Sequence, residues 1–568
     1  MDNNITDASS LTDQAVSTIN ALIAKYENDE YMTLKLHNYV CNQLPNILDN
    51  AKITQQKRVI RNEEMLNDQD SFIQTFLTNN VYLYVPSSER FFCYDGLHFK
   101  CTTEDNIIYH ILNAINDDRT LMSWKQKTKI STMKKIRENH LLKYIPESET
   151  IQLILKLLYP TIFSSRNEAK YFLCILGDNI LKPHASNTLI HYIDHNAKQF
   201  IRELNSIIQY FIGGNNLYSI KYKYHDHSYE DCRIIKTNAN IKHDTTWLHI
   251  IQQYGIDLLC VACHYSQRYS SSDLFLEHVD NDTPLLNSAL YLKNNSPSEI
   301  VDRFIEQYII INNHAFDPTN VVNDNELDVQ QIRSPYVSWK DVMYLWKMFL
   351  NKKELPPIMF LQTLKTLFIE KLEKHYNEEK DLFIGISSKY LPFVKQFLSF
   401  WDETIVYDEN ESDFEIDEMV ILYKNWCTIN NHAHHNFSNT QILDLVGHFF
   451  SNVEIDKDRY LSGICSKLWD KHIDIQTALD NLRETMKNEY SSKQSNTRMH
   501  SPGIAPNVSI YDTYNYYCKY HNTKQGHTNN TMPQIQVVSK VYFEKYIFDH
   551  YCEFIVDNKF LSSSWYMD

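Results

Sequence analysis

The sequence predicts a mainly α-helical, multidomain protein with one small antiparallel β meander. Apolar residues recur at helical spacing in most segments, whereas a single stretch alternates β-prone runs with turn residues. The chain has 568 residues but only 10 glycines, and few glycines disfavour folds built on glycine-rich loops. A chain of this length exceeds what one hydrophobic core organises, so several domains are expected.

The charge and the cysteines limit the classes of function. A net charge of −16 argues against a broad nucleic-acid-binding surface, because phosphate binding needs clustered Lys and Arg, but it allows a local basic patch. The 11 cysteines follow no disulfide-type spacing, and the first ten residues are polar and acidic, unlike a signal peptide. We therefore expect reduced thiols in a cytosol-like compartment. No apolar run is long enough for a membrane span, so no membrane association is predicted.

The N-terminal part is predicted as helices followed by the meander. Residues 1–76 form a helical segment, and residues 77–125 a small β meander plus a helix. In the meander, Val81–Val85, Arg90–Tyr94 and 97–101 are rich in β-branched and aromatic residues. Asp95-Gly96 separates the last two runs, and Asp-Gly is a strong hairpin signal.

The most basic segment is residues 125–137, beside Trp124. If it is helical, some of its cations share one side, as contact with phosphates requires. The alternative is an ordinary solvated helix face. The candidate nucleic-acid-binding side chains are Lys125, Lys127, Lys129, Lys134, Lys135 and Arg137.

Residues 126–311 are predicted as a helical or α+β central domain. A buried helix or strand over 167–176 ends at Gly177, which we interpret as a left-handed C-cap; the alternative is the relic of a phosphate-binding turn. No glycine in the chain is followed by Lys, so there is no Walker A loop. Because no other catalytic motif is present, no enzymatic activity and no cofactor are predicted.

Cys260-Val-Ala-Cys263-His264 has the spacing of a haem-attachment motif and of half a zinc site. Zinc needs further ligands, and the surrounding sequence is strongly apolar. We predict two core thiols and no metal, and keep Cys260, Cys263 and His264 as weak metal-ligand candidates.

The C-terminal part is predicted to contain two modules of one design. A linker over 312–335 leads to a helical domain, 336–485, whose residues 413–470 form the first module; a second linker, 486–506, leads to the second module, 507–568. Each module has a helix with an aromatic–Cys pair, a polar turn, a Ser-initiated helix and a β-prone tail. Tyr423, Trp426, Cys427 and Asn431 are matched with Tyr514, Tyr517, Cys518 and Asn522.

That order of elements is typical of a winged-helix module, in which the second of these two helices faces a nucleic-acid groove. Asn439, Gln441, Lys540 and Lys545 are therefore further nucleic-acid-binding candidates.

The whole chain resembles a family of uncharacterised proteins from giant DNA viruses of amoebae, in segments 91–98, 167–181 and 257–266. Residues 413–470 are also similar to the winged-helix tail of poxvirus-type primase-helicases, where an acidic lead-in precedes a Tyr-Lys-x-Trp-Cys helix. The Walker Lys and Ser/Thr of those helicases have no counterpart here, so the resemblance implies a non-catalytic relative. It also implies a location in the host cytoplasm, a virus factory or the virion.

Three functions are open. The first is a non-catalytic viral accessory protein in replication, transcription or RNA handling, which binds DNA or RNA through its modules and the basic helix. The alternative is a scaffold that assembles viral proteins into a translation-initiation or transcription complex, because Tyr and Trp anchor protein interfaces. A degenerate ATPase that still binds nucleotide is the third and least favoured reading.

Overall fold

The structure is a computed structural model that describes residues 6–182, 189–214, 217–224, 227–242, 245–279, 281–312, 335–408, 414–433, 435–496, 506–524 and 536–567. The predicted linker 312–335 lies largely outside these ranges, whereas the predicted linker 486–506 begins inside a helix, Lys471–Asn496, and only its residues 497–505 lie outside them. Two compact units are present, Met1–Asn294 and Asn295–Asp568. Both consist mainly of helices with small sheets, so the prediction of a mainly helical chain is confirmed; the sheets are more numerous than the predicted meander, and one of them is parallel.

The first unit begins with long helices. They are α1 (Thr6–Lys25), α2 (Glu30–His37) and α3 (Leu44–Asn79), with a π-helical turn, Asn38–Gln43, between α2 and α3. The Asp29 side chain accepts a hydrogen bond from the backbone N–H of Met32 and so caps α2. From Glu30 onward the backbone stays helical through His37, Asn38, Gln43 and Leu44.

The predicted meander is confirmed. Strands β1 (Val81–Val85), β2 (Arg90–Tyr94) and β3 (Phe99–Thr102) pair antiparallel in that order. Gly96 turns the second hairpin with a φ of 94°, a conformation that glycine adopts without strain. The helices that follow are α4 (Glu104–Asp118) and α5 (Lys125–Glu138).

The centre of the first unit is built on two buried helices, α7 and α9. The helices of this region are α6 (Ser148–Leu158), α7 (Arg166–Leu181), α8 (Lys198–Phe211), α9 (Thr246–Tyr269), α10 (Ser272–His278) and α11 (Thr283–Ala289). A parallel sheet, in the order β5-β4-β6, consists of β4 (Ile190–Ile193), β5 (Ile220–Lys221) and β6 (Cys232–Ile235). No alternation of apolar and polar residues marks these strands in the sequence, because β4 and β6 are buried at every position.

The prediction that Gly177 caps a helix is wrong. Gly177 lies inside α7, which continues to Leu181. A Cβ atom at Gly177 would lie 2.2 Å from the carbonyl oxygen of Ala262 in α9. Glycine is needed here because the two helix backbones approach closely, and not because a turn requires it.

The second unit contains the same arrangement three times: a strand, two helices and a hairpin. The first repeat consists of β8 (Tyr336–Ser338), α13 (Trp339–Lys353), α14 (Leu361–Lys371), β9 (Tyr376–Asn377) and β10 (Leu382–Ile384). The second consists of β13 (Phe414–Glu415), α16 (Ile416–Ile429), α17 (Asn439–Phe449), β14 (Glu454–Asp456) and β15 (Tyr460–Ser462). The third consists of β17 (Val508–Ser509), α19 (Ile510–Lys524), α20 (Lys540–His550), β18 (Ile555–Val556) and β19 (Phe560–Leu561).

In every repeat the last strand lies between the first strand and the other hairpin strand. A further helix precedes each repeat: α12 (Pro297–Tyr308), α15 (Leu391–Thr404) and α18 (Lys471–Asn496). Two additional strand pairs join β7 (Ile310–Ile311) to β11 (Ile386–Ser387), and β12 (Ile405–Tyr407) to β16 (Ile464–Ser466). The chain ends in α21 (Ser564–Met567).

Strand pairing corrects the predicted match between the two modules. Glu415 pairs with Tyr460 and Ser509 with Phe560, so these positions correspond. Counting along the helices, Tyr423 then corresponds to Tyr517, and not to Tyr514, which lies one turn earlier. The sequence match slipped by a turn because aromatic residues recur at helical spacing in both helices.

The first repeat is absent from the predicted domain organisation. Ser338 corresponds to Glu415, which places Trp346 at the position of Tyr423. Ring contacts support this correspondence, because each residue packs on a Phe of the helix that precedes its repeat. The ring centroids of Phe304 and Trp346 are 5.2 Å apart, and those of Phe400 and Tyr423 are 5.4 Å apart. A signal was present in the sequence: Gly-Ile-Ser-Ser-Lys at 385–389 and Gly-Ile-Cys-Ser-Lys at 463–467 follow the last strands of two repeats.

Candidate functional site

The basic segment forms helix α5, which packs onto the long helix α3. Thr128, Thr132, Met133 and Ile136 are its buried residues. The buried Gln69 side chain of α3 donates a hydrogen bond from Nε2 to Oγ1 of Thr128, at 3.1 Å. These contacts leave one face of α5 exposed to solvent.

The predicted cations divide into two groups. Lys127, Lys134, Lys135 and Arg137 are exposed, whereas Lys125 and Lys129 are half-buried. The exposed face also carries an apolar side chain, Ile130, which is 65% exposed. The structure therefore places four of the six predicted cations where a phosphate could reach them.

Several of these cations already have partners. Lys127 lies over the ring of Trp124, with 3.7 Å between Nζ and the ring centroid. Lys135 pairs with Glu138 at 3.1 Å, and Arg137 with Glu104 at 2.7 Å. Lys125 donates a hydrogen bond to the Asn116 side chain at 2.8 Å. Such exposed pairs are weak and can open for a ligand, but they reduce the positive potential of the face.

In the second repeat, the predicted binding side chains of α17 are used locally. The Asn439 side chain donates a hydrogen bond to Asp417 at 2.7 Å. The Oε1 atom of Gln441 accepts a hydrogen bond from the backbone N–H of Ser438 at 2.9 Å, and Ser438 Oγ accepts one from the Gln441 N–H. This reciprocal capping box holds the start of α17.

Helix α17 also packs against α13 of the first repeat. Lys347 Nζ lies 2.8 Å from a carboxylate oxygen of Asp444. Tyr344, which is 5% exposed, has its ring centroid 5.4 Å from those of His448 and Phe449. Lys340 donates a hydrogen bond from Nζ to the carbonyl oxygen of Phe449 at 2.9 Å. The C-terminal half of α17 is thus engaged with a neighbouring helix of the same chain.

In the third repeat, Lys540 and Lys545 of α20 are both exposed. Lys540 lies 3.5 Å from the carboxylate of Glu544 and over the ring of Tyr511, 5.1 Å from its centroid. The outer face of α20 also exposes Val541, at 67%. The surface is therefore mixed in character and not a continuous basic patch.

A buried ion pair joins the second and third repeats, and the sequence analysis did not identify it. Lys471, at the start of α18, lies 2.7 Å from Oε2 of Glu418 in α16, and both side chains are at most 6% exposed. The Lys471 ammonium also lies over the rings of Phe414 and Tyr542, 4.6 and 4.4 Å from their centroids. Burial raises the pKa of Glu418, and the charge of Lys471 opposes that rise.

The weak metal-ligand candidates lie on α9. Cys260 and Cys263 are 1% and 0% exposed within the core of the first unit. Burial raises the pKa of the Cys263 thiol. Burial lowers the pKa of His264, and the positive charge of Arg268 lowers it further. Within the ranges that the structure describes, no group of three or more His, Cys, Asp or Glu side chains is arranged to hold a metal ion.

A second contact that the sequence did not indicate fixes the meander to α9. Asp257, 2% exposed, accepts a hydrogen bond from the backbone N–H of Phe99 at 2.7 Å, and its other oxygen lies 2.9 Å from Nδ1 of His98. Burial raises the pKa of Asp257, and both hydrogen bonds oppose the rise. The residues lie 159 positions apart, so no local pattern predicts the pair.

Comparison of the chain with models of known protein families and with curated proteins finds no match. A search of the described helices for one long and apolar enough to cross a membrane also finds none.

Proposed function

We propose that this protein is a non-catalytic interaction scaffold whose second unit is a tandem array of three winged-helix-like repeats. The first strand, two helices and hairpin of each repeat, with the last strand in the centre of the sheet, are the support for this reading. The helix before each repeat supplies the remaining helix of such a module. The giant-virus origin and the assembly of a viral transcription or translation complex are parts of the proposal that rest on the resemblance alone.

One observation favours protein contacts over nucleic-acid contacts for the array. In winged-helix proteins that bind DNA, the helix equivalent to α17 enters a groove. Here α17 packs on α13 through an ion pair and three aromatic side chains. The C-terminal half of this helix in the second repeat is therefore used for a helix–helix contact, which restricts how it could enter a groove.

The equivalent helices of the outer repeats offer apolar side chains. Phe360 and Leu361, at the start of α14, are 46% and 53% exposed, and Val541 in α20 is 67% exposed. Hydrophobic side chains at such a helix start suit an apolar groove or helix on a protein partner. Phosphates would instead require clustered cations.

Affinity purification of the full chain from the cells that naturally produce it tests the scaffold. Leu361→Glu and Val541→Glu replace exposed side chains in the first helical turn, where a carboxylate does not disfavour the helix. Ile130→Glu is the matched control, because it makes the same change on an exposed face outside the repeats. The scaffold predicts that particular proteins are retained by the unchanged chain and by Ile130→Glu but lost by the other two variants. Equal retention by all four chains would refute the assignment of α14 and α20.

A second function is supported by the exposed cations of α5: local binding of DNA or RNA. A titration of binding against salt concentration tests it, because each released counterion adds to the slope. The slope of log K against log salt concentration is negative, and Lys127→Ala with Lys134→Ala should reduce its magnitude by roughly 2 if both cations contact phosphates. Lys457→Ala with Lys380→Ala, which removes two exposed cations from hairpins of the repeats, is the control. An unchanged slope in the first pair would exclude this role for α5.

A further inference from the structure

We propose that residues 30–66 form an antiparallel homodimer through apolar side chains that a single chain leaves exposed. This inference is independent of the scaffold proposal. It concerns the N-terminal arm, defined here as α2, the π-helical turn and α3 as far as residue 66.

The arm is a single long helix with little packed against it. Across the described positions, α2 and the π-helical turn have no buried residue, and the first buried residue of α3 is Gln69. At about 1.5 Å per residue, the arm extends for roughly 55 Å. In proteins most of the stability of a helix comes from packing of its apolar side chains, and the arm lacks such packing within the single chain.

Large apolar side chains are exposed along the arm. From residue 31 to residue 60 they are Tyr31, Leu34, Tyr39, Leu44, Ile47, Leu48, Ile53, Val59 and Ile60, with exposures between 41% and 67%. On a helix of 3.6 residues per turn, Ile53 and Ile60 lie on the side of α3 opposite Leu44, so one partner cannot cover all nine side chains. If about six of them bury on the order of 100 Å² each, the contact covers roughly 600 Å² per chain, the lower end of the about 600–1,000 Å² per partner of a standard interface.

The charges of the arm identify the partner as a second copy. Glu27, Asp29 and Glu30 lie where α2 begins, whereas residues 51–61 contain Lys52, Lys57, Arg58 and Arg61 and no acid. Glu30 and Lys57 are separated by about 40 Å on one continuous helix, so they cannot meet within a chain. In an antiparallel pair with its two-fold axis near Gln43, the acidic group of each copy lies beside the basic group of the other.

The apolar side chains agree with the same axis. They are distributed on both sides of residue 43, so a two-fold axis there places the apolar stretch before it in one copy against the apolar stretch after it in the other, and the reverse, as an isologous interface requires. The π-helical turn Asn38–Gln43 lies at this axis. Short π-helical turns within α-helices often occur at functional sites.

Sedimentation velocity of the full chain over a range of concentrations tests the dimer. The unchanged chain should be dimeric at micromolar concentration, and Leu34→Glu with Leu48→Glu should weaken the dimer at least tenfold. Both substitutions alter exposed side chains (67% and 58%), so the fold should be retained, which circular dichroism checks. Ile130→Glu, an exposed apolar residue outside the arm, should leave the dimer unchanged. A chain that stays monomeric at 50 μM, or a dimer that the paired substitution does not weaken, would overturn the proposal.

Charge reversal tests the antiparallel arrangement. Glu27→Lys with Glu30→Lys, and separately Lys57→Glu with Arg58→Glu, should each weaken self-association, because like charges then face each other. An equimolar mixture of these two variants should form heterodimers, since the reversed charges at positions 27 and 30 of one variant then face the oppositely reversed charges at positions 57 and 58 of the other. Absence of heterodimers in the mixture would exclude the antiparallel register.

Discussion

The buried ion pair between Lys471 and Glu418 provides the sharpest test of how the second and third repeats are joined. Lys471→Met removes the cation but keeps an apolar chain of similar length. Glu418, 4% exposed, then holds an uncompensated carboxylate, and its Oε1 atom has no hydrogen-bond partner even in the unchanged protein. Breaking a buried pair from one side costs about 3–5 kcal/mol.

The cost should appear as local opening of α16 and α18. Hydrogen exchange followed by mass spectrometry reports such openings segment by segment. A loss of 3–5 kcal/mol corresponds to a protection factor lower by roughly 10²- to 4 × 10³-fold, because about 1.4 kcal/mol is a factor of ten. Protection in the first unit should not change.

Two further variants show whether the charge is responsible. Lys471→Met with Glu418→Gln removes both charges and keeps an acceptor for the Glu415 N–H, so most of the protection should return. Lys457→Ala is the control, because its pair with Asp456 is 3.7 Å long and exposed, and such pairs contribute at most about 1 kcal/mol. Equal effects of Lys471→Met and Lys457→Ala would refute the reasoning.

The effect of Lys471→Met should also depend on pH. Burial raises the pKa of Glu418 and Lys471 opposes that rise, so removing Lys471 raises the pKa further. A protonated Glu418 is neutral and needs no cation. The destabilisation should therefore be largest at neutral pH and smaller in acid; an effect that grows in acid would contradict this account.

Three other substitutions test packing, the meander contact and acid sensitivity in the first unit. Gly177→Ala should destabilise the first unit by about 1–3 kcal/mol through overpacking, although alanine has the better helix propensity. Gly447→Ala is the control: its added Cβ lies 3.6 Å from the nearest neighbour, so thermal unfolding should show a neutral or slightly stabilising effect. Asp257→Ala should cost about 1–3 kcal/mol and raise hydrogen exchange in β3, because the Phe99 N–H loses its acceptor; normal protection there would contradict the assignment. Burial lowers the pKa of His191 to about 4, below its ordinary value of 6.5. As the pH falls, the unfolded chain therefore binds the proton first, and the free energy of unfolding should decrease between about pH 6.5 and about pH 4. His191→Asn should flatten this dependence, and an unchanged pH profile of the variant would exclude this role of His191.

The sequence predicts elements whose signals are local. The meander follows from β-prone runs and Asp95-Gly96, and the start of α17 from Ser438 followed by Gln441, whose capping box the structure contains. Segments 413–470 and 507–568 show the expected order of helices and β tail. Each of these depends on residues close together in the chain.

The contacts that decide function join residues far apart, and no single sequence indicates them. Lys347 and Asp444 are 97 positions apart, so the sequence does not indicate that α13 packs against α17. The residues around Gly177 suggest a helix cap. The reason for glycine there is the close approach of Ala262, which belongs to another helix and is not visible in the local sequence. The first repeat was missed because Trp346 and its neighbours lack the aromatic–Cys pair that defined the other two.

Hydroxyl-radical footprinting of the full chain, with and without DNA or RNA at low salt, tests the central claim most directly. If the repeats are protein-binding modules, nucleic acid should leave α17 and α20 unchanged, and any protection should be confined to α5. Protection of Asn439, Gln441, Lys540 and Lys545, lost again at high salt, would contradict the claim and assign the repeats to nucleic-acid binding.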